Sequence, residues 1–214
     1  MPIIVVAQQK GGVGKTTIAI NIAGELSRRE REVALVDSDP QRSASIWAMM
    51  DNLEFPVYEM NLEQIPLKIW AQDIRRLPAD TIIIDTAPSA RQLGASVAIA
   101  DIVLVPCTAS GLDIEGVDET IRVIGAVRRR RKAPLAAIIV PNRIDIHLLE
   151  GDQIEHELET FGEQVAPIIR MRPDYLRAFT VGESVSSFSR GEAADREIQQ
   201  LCDLVDKELA RIKA

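Results

Sequence analysis

With 214 residues, 46% of them hydrophobic but only 4% aromatic, the chain can bury one sizeable core built of Ile, Val, Leu and Ala, as parallel strands under helices require. Its two cysteines, Cys107 and Cys202, stand far apart and outside any C-x-x-C or Cys/His cluster, which excludes a disulfide framework and a thiolate metal site and leaves reduced core thiols. The formal net charge of −7 weighs against a simple basic nucleic-acid binder; no apolar run reaches the ~18 residues of a membrane span, and Met1-Pro2-Ile3 enters a strand rather than a signal peptide, so a cytoplasmic protein is expected.

The first expected strand, Ile3 to Ala7, runs into Gln8-Gln9-Lys10-Gly11-Gly12-Val13-Gly14-Lys15-Thr16-Thr17 and then a helix with Ile18, Ile22 and Leu26 on one face. This stretch meets the phosphate-binding pattern G-x-x-x-x-G-K-[ST] except at its first glycine, where Gln9 stands, followed by an additional lysine, Lys10. A strand before the pattern and a helix after it supply the context a phosphate loop needs. Gly11, Gly12 and Gly14 allow backbone N–H groups to turn onto phosphate oxygens, and the helix opening at Lys15 aims its positive end at the same anion. Lys15 is expected to reach the β and γ phosphates, and the Thr16 hydroxyl to ligate Mg²⁺.

A second strand, Val33 to Val36, ends in Asp37-Ser38-Asp39-Pro40-Gln41. Alone, Asp37 and Asp39 read as turn or helix caps; beside a phosphate loop, Asp39 is suited to orienting an attacking water. Trp47 and Trp70 fit helical core or partner-contact positions, and both readings stay open. The strand Thr81 to Ile84 delivers Asp85 to the carboxyl edge of the sheet, where α/β folds bind ligands, in the Walker B role. A fourth strand spans Ile102 to Val105, and Ile114, Val117, Ile121 and Ile124 mark the next helix.

Beyond that helix the charge is segregated. Ile121 to Ile144 holds seven cations (Arg122, Arg128, Arg129, Arg130, Arg131, Lys132, Arg143) and no acid, whereas Asp145 to Glu163 holds seven acids and no Lys or Arg. The run Arg128 to Lys132 is either part of an anion-binding face or a solvated helix terminus. Strands are expected over Leu135 to Val140, with Asn142 just past its end, and over Val165 to Ile169. A last helix over Glu192 to Ala214 puts Ile198, Leu201, Leu204, Val205, Leu209 and Ile212 on one face, for packing against the sheet. The alternation of strands and helices, without repeat or linker, implies right-handed crossovers in one domain, 1–214.

With these residues in view, the chain resembles the ParA/MinD family of P-loop ATPases, whose mark is the deviant Walker A motif K-G-G-x-G-K-[ST], here Lys10 to Thr16. The likeness continues through Asp37-Ser38-Asp39-Pro40-Gln41, Ile84-Asp85-Thr86-Ala87-Pro88, Val105-Pro106 and the segment around Arg170 and Arg172. It implies an α/β fold, a mostly parallel twisted sheet with helices on both faces, and a slow, partner-stimulated ATPase using ATP and Mg²⁺. In such a protein Lys10 reaches across an ATP-dependent homodimer to the partner's phosphates, Val13 belongs to the loop, and Thr17 lies near the α-phosphate. Asp39 positions the water, Asp85 holds Mg²⁺ directly or through water, and Asp37 supports it from behind. Asn142 matches a base-contacting position, although Asn142-Arg143-Ile144-Asp145 has arginine where the usual Asn-Lys-x-Asp selector has lysine.

The resemblance further implies non-specific DNA binding through Arg170, Arg172 and Arg190, with Arg177 nearby, and a ParB-type adaptor bound to a cargo that is segregated or positioned, so nucleoid association is expected. Only Met1 and Pro2 precede the first strand, where longer partition proteins carry a helix-turn-helix domain, and the last helix lacks the basic face of a membrane-targeting tail, so a small partition or positioning ATPase without membrane contact is expected. The alternative is an ATP-dependent small-molecule ligase of the same superfamily, similar to dethiobiotin synthetase, with its acceptor near Asp39 and Pro106.

Overall fold

The computed structural model describes residues 1–62 and 65–213. In chain order it forms β1 Ile3–Val6, α1 Lys15–Arg28, β2 Val33–Asp37, α2 Ser43–Ala48, β3 Val57–Glu59, α3 Leu67–Ile74, β4 Thr81–Asp85, α4 Ala90–Ile99, β5 Ile102–Cys107 and α5 Gly111–Arg128. There follow β6 Ala136–Ile144, α6 Leu149–Glu159, β7 Gln164–Val165, β8 Ile169–Arg170, α7 Pro173–Val181, α8 Val185–Phe188 and α9 Ala193–Lys213. The strands lie in the order β3-β2-β4-β1-β5-β6-β7, with β8 paired to the far part of β6, and every pairing is parallel.

Parallel pairing forces a helical crossover after almost every strand, so both faces of the sheet are covered and its strands read as unbroken apolar runs. Along β1 the side chains alternate: Ile4 and Val6 pack with Ile18, Ile22, Leu26 and the α9 residues Ile198, Leu201 and Val205, while Ile3 and Val5 pack with Trp70, Leu93, Val117 and Ile124 on the other face. Each fully buried aliphatic side chain contributes roughly 1.5–3 kcal/mol. Cys107 and Cys202 are buried thiols, and burial pushes Cys107 up to about 12 and Cys202 well above its ordinary value, which leaves both unreactive. Trp47 and Trp70 are both helical and buried, their indole N–H groups donating to the carbonyls of Glu183 and Met60 at 3.1 and 2.7 Å.

Two strands depart from the pattern read above. The run Val165 to Ile169 is not one strand but two short ones, β7 and β8, because Pro167 between them has no N–H to give to a ladder. The strand expected to stop at Val140 continues to Ile144, so Asn142 lies inside β6 and pairs with Ile169 of β8. The ladder is irregular between Asn142 and Ile144, where Arg143 takes φ 57°. The three-residue β3 carries no strand-like apolar run of its own and joins the sheet only by pairing with β2.

Candidate active site

The strand order reverses beside β1, which sends the chain toward β2 on one side and receives β5 on the other, and the crevice above such a switch point is where α/β sheets hold ligands. The loop between β1 and α1 lies there. Gly12 and Gly14 have φ of 79° and 92°, a region that side chains with a Cβ rarely enter. Gly14 is doubly constrained, since an added Cβ would come within 2.2 Å of the Asn142 side-chain nitrogen.

That close approach is a support. Asn142 Nδ2 donates to the Val13 carbonyl at 2.8 Å, and Arg143 Nη1 donates to the Gly12 carbonyl at 3.1 Å, so the end of β6 props the crest of the loop. From the other side the buried Gln8 side chain accepts from the Lys10 N–H at 2.8 Å and donates from Nε2 to the carbonyls of Asp113 (3.0 Å) and Pro106 (3.3 Å). Lys15 is buried, with its ammonium donating to the Lys10 carbonyl at 2.8 Å. Burial lowers the Lys15 pKa, opposed by the charges of Asp85, Asp39 and Asp113.

The carboxylates converge by register. Asp37 and Asp85 are partners across β2 and β4, and Asp85 is level with Val6 at the end of β1. Asp85 Oδ2 accepts from the Thr16 hydroxyl at 2.6 Å, while its Oδ1 is buried and accepts no hydrogen bond. Burial pushes the Asp85 carboxyl up to about 7; the Thr16 hydrogen bond and Lys15 pull it down, and Asp37 and Asp39 push it further up. A buried oxygen without a donor is costly, and beside a threonine hydroxyl it makes a donor set suited to a hard divalent cation that takes oxygen ligands. The loop N–H groups and Lys15 suit the phosphates of a nucleotide in the same way.

Asp37 is committed elsewhere: its Oδ2 accepts from both the N–H and the hydroxyl of Ser45 at 2.8 Å, and its Oδ1 from the Asp39 N–H at 3.2 Å. It thereby ties the first turn of α2 to the sheet edge. Asp39 is partly exposed and accepts from the Gln41 N–H at 2.8 Å, the turn-capping geometry. Thr17, like Thr16, is half-buried in the first turn of α1, and Gly11 is exposed at the front of the loop. All the residues read as nucleotide and metal groups therefore share one edge of the sheet.

The basic residues do not form one surface. Arg170 and Arg190 are exposed, but Arg172 is held by Glu197 through Nε (3.0 Å) and Nη2 (2.7 Å), and Glu155, Arg196 and Glu197 line the same groove as Arg170 and Arg172. The run Arg128 to Lys132 leaves α5 at the opposite, amino edge of the sheet. There Arg128 pairs with Glu163 and donates to the Leu135 carbonyl, and Arg131 donates to the carbonyls of Ala100, Ala133 and Pro134. The acidic and basic segments are thus joined at Glu163 rather than held apart.

Three supporting residues carry no motif signal: Gln8, Arg143 and Ser45. Apart from Lys10 beside Gln8, and the Asp37-to-Ser45 spacing that suits an acid anchoring the start of the next helix, their partners lie far away in sequence.

Residues 4–185 match the family model described as the CobQ/CobB/MinD/ParA nucleotide binding domain. The chain is 30% identical to the maintenance of carboxysome distribution protein A of Halothiobacillus neapolitanus, covering 94% of this chain and 95% of that protein. It is 27% identical to the protein ParA of Rhizobium radiobacter, covering 87% and 86%. Its fold is similar to that of the septum site-determining protein MinD of Pyrococcus horikoshii complexed with Mg-ADP, with a TM-score of 0.73, 21% identity, and coverage of 100% and 98%.

Proposed function

The chain belongs to the CobQ/CobB/MinD/ParA nucleotide-binding family, and from that premise we propose that it is a Mg²⁺-dependent ATPase of the partition or positioning kind, working as an ATP-gated homodimer on DNA. Among the described residues no helix is long and apolar enough to cross a membrane, and relatives similar along most of their length are named for chromosome partitioning and for carboxysome distribution. The observation that carries the reading is the phosphate loop with Lys10 and Lys15 at its two ends, set against the Thr16–Asp85 pair.

In this reading Lys15, the loop N–H groups and the positive end of α1 bind the phosphates, Thr17 assists near the α-phosphate, and Asn142 faces the base. Thr16 and Asp85 hold Mg²⁺, with Asp37 behind them; the ion supplies charge neutralisation at the phosphoryl oxygens. Asp39, partly exposed at the carboxyl edge, orients the attacking water, and Lys10 is offered to the nucleotide of a second copy. A cation placed where charge develops in a site that excludes water is worth far more than one in solvent. Nucleotide that binds the dimer in preference to the monomer shifts the equilibrium toward the dimer.

DNA binding by this protein rests on Arg170 and Arg190, with Arg172 contributing if Glu197 releases it. Dimerisation doubles that patch, which is how a chain of net charge −7 holds a polyanion at the nucleoid. An adaptor of the ParB type stimulates hydrolysis and links the switch to its cargo. The decisive experiment is DNA binding with ADP, with ATP and with a slowly hydrolysed analogue, at several salt concentrations. Tight, salt-sensitive binding only with the triphosphate is expected; binding that ignores the nucleotide overturns the switch. ATP turnover that depends on a small acceptor molecule would instead favour the ligase reading.

A further inference from the structure

Gln8 and Gly116 stand outside the motifs, yet both touch Lys10. The buried Gln8 amide spends its oxygen on the Lys10 N–H and its nitrogen on carbonyls of β5 and of the first turn of α5, Pro106 and Asp113. One turn further along α5, Gly116 is buried; a Cβ there would meet Gln8 Oε1 at 2.6 Å and Lys10 Cγ at 2.7 Å. Glycine inside a helix costs roughly 0.5–1 kcal/mol relative to alanine, and here its missing side chain is the space that the Lys10 stem and the Gln8 amide occupy. The backbone of Lys10 is fixed by Gln8, and the direction of its side chain is fixed by the bare face of α5.

We propose that Gln8 and Gly116 are positioning residues that lay Lys10 against α5, so that helix α5 sets the direction in which this lysine leaves the subunit. The inference rests on the reading of Lys10 as the group offered to a partner's nucleotide. It adds that the orientation is built in before the subunits meet, and that α5 is the element through which it is set. Preorganising a charged group in this way removes ordering cost from the association step.

The test uses the full chain and separates the two claims. Self-association with a slowly hydrolysed ATP analogue is measured by sedimentation, and monomer binding of a fluorescent ADP is measured in parallel, for Gly116→Ala, Gln8→Met, Lys10→Ala and Gly125→Ala. Gly125 lies on the same helix, and its Cβ would meet only Arg129 Nη1 at an ordinary 3.6 Å. Gly116→Ala is expected to weaken association about tenfold or more, since displacing a working group by an ångström is costly, while ADP affinity stays within about twofold and Gly125→Ala matches the wild type. Gln8→Met is expected to follow Gly116→Ala, and should it fail to fold, Gly116→Ala decides alone. Lys10→Ala defective with Gly116→Ala normal, or Gly125→Ala equally defective, overturns the positioning role. Lys10→Ala associating normally overturns the reading beneath it, and the inference with it.

Discussion

Asp85 ties the site to a measurable pH dependence of stability. Its carboxyl is raised from 3.8 to about 7, foremost by burial, which corresponds to ~4 kcal/mol of preference for the neutral acid in the folded chain. The folded state therefore binds a proton that the unfolded chain has already released over the window from about pH 4 to about pH 7. The resulting stability is complete below the lower value and is lost as pH rises through the upper one. Between about pH 6 and about pH 8 the loss from this one group is on the order of 1 kcal/mol, which for a chain of this size lowers the melting temperature by about 2–4 °C. The Asp85→Asn protein keeps an oxygen for the Thr16 hydroxyl and has nothing to titrate, so its stability is expected to stay flat over that interval and to exceed the wild type at the alkaline end. The assay is urea unfolding of both proteins across that range, without nucleotide or divalent cation, compared as a difference so that other titrating groups cancel. Parallel curves for wild type and Asp85→Asn would show that the carboxyl ionises in the folded chain as it does in water, and would refute the burial argument.

Two further outcomes follow from the geometry. Gly14→Ala should cost about 1–3 kcal/mol of stability, because it combines a left-handed φ with a contact at 2.2 Å, and should abolish nucleotide binding; calorimetry checks both, and a stable variant that binds nucleotide normally would overturn the account of the loop crest. Arg190→Ala should leave stability within about 0.5 kcal/mol of wild type and reduce the salt slope of DNA binding by about 1. Arg172→Ala should instead destabilise by about 1–3 kcal/mol by leaving the buried Glu197 with only the Arg170 N–H on Oε2 and no cation on Oε1; unfolding curves and salt titrations separate the two arginines, and equal stability loss in both would refute the distinction.

What could be read in advance divides along sequence distance. The phosphate loop and the strand-end acids are legible because each is a local pattern: three glycines and a lysine between a strand and a helix, or an apolar run ending in aspartate. The parallel sheet is legible for the same reason, since strands buried on both faces cannot alternate in polarity. The strand limits at Val140 and Ile169 are not. Whether the chain continues as a strand past Val140 depends on β8 arriving to pair with Asn142, and β8 exists as a separate piece because of Pro167. β3 depends likewise on β2. The supports of the loop are hidden for a stronger reason: Gln8 reaches Pro106 and Asp113, and Asn142 reaches Val13, across about a hundred residues of chain. An amide two residues before a lysine has no signature of its own; only the closed sheet shows that it holds that lysine.

Charge shows the same limit and has a consequence for DNA. Along the chain, seven cations followed by seven acids suggest two opposed faces. In the fold they meet, since Arg128 is held by Glu163 and the groove beside Arg170 and Arg172 is lined by Glu155 and Glu197 as well. Arg131 is spent on backbone carbonyls, and an arginine so engaged cannot release a counterion from a phosphate without leaving those carbonyls unpaired. In the carboxyl-terminal part, Arg170, Arg177 and Arg190 are exposed, as are Lys207 and Lys213 of α9, so the cations open to a polyanion are scattered rather than gathered in one run. In the proposed switch such a scattered set makes monomer binding weak and doubling decisive, because the logarithm of affinity scales with the number of phosphates neutralised. In that proposal, control of DNA binding by nucleotide needs no change of shape within the subunit: pairing two copies of the same scattered cations is sufficient.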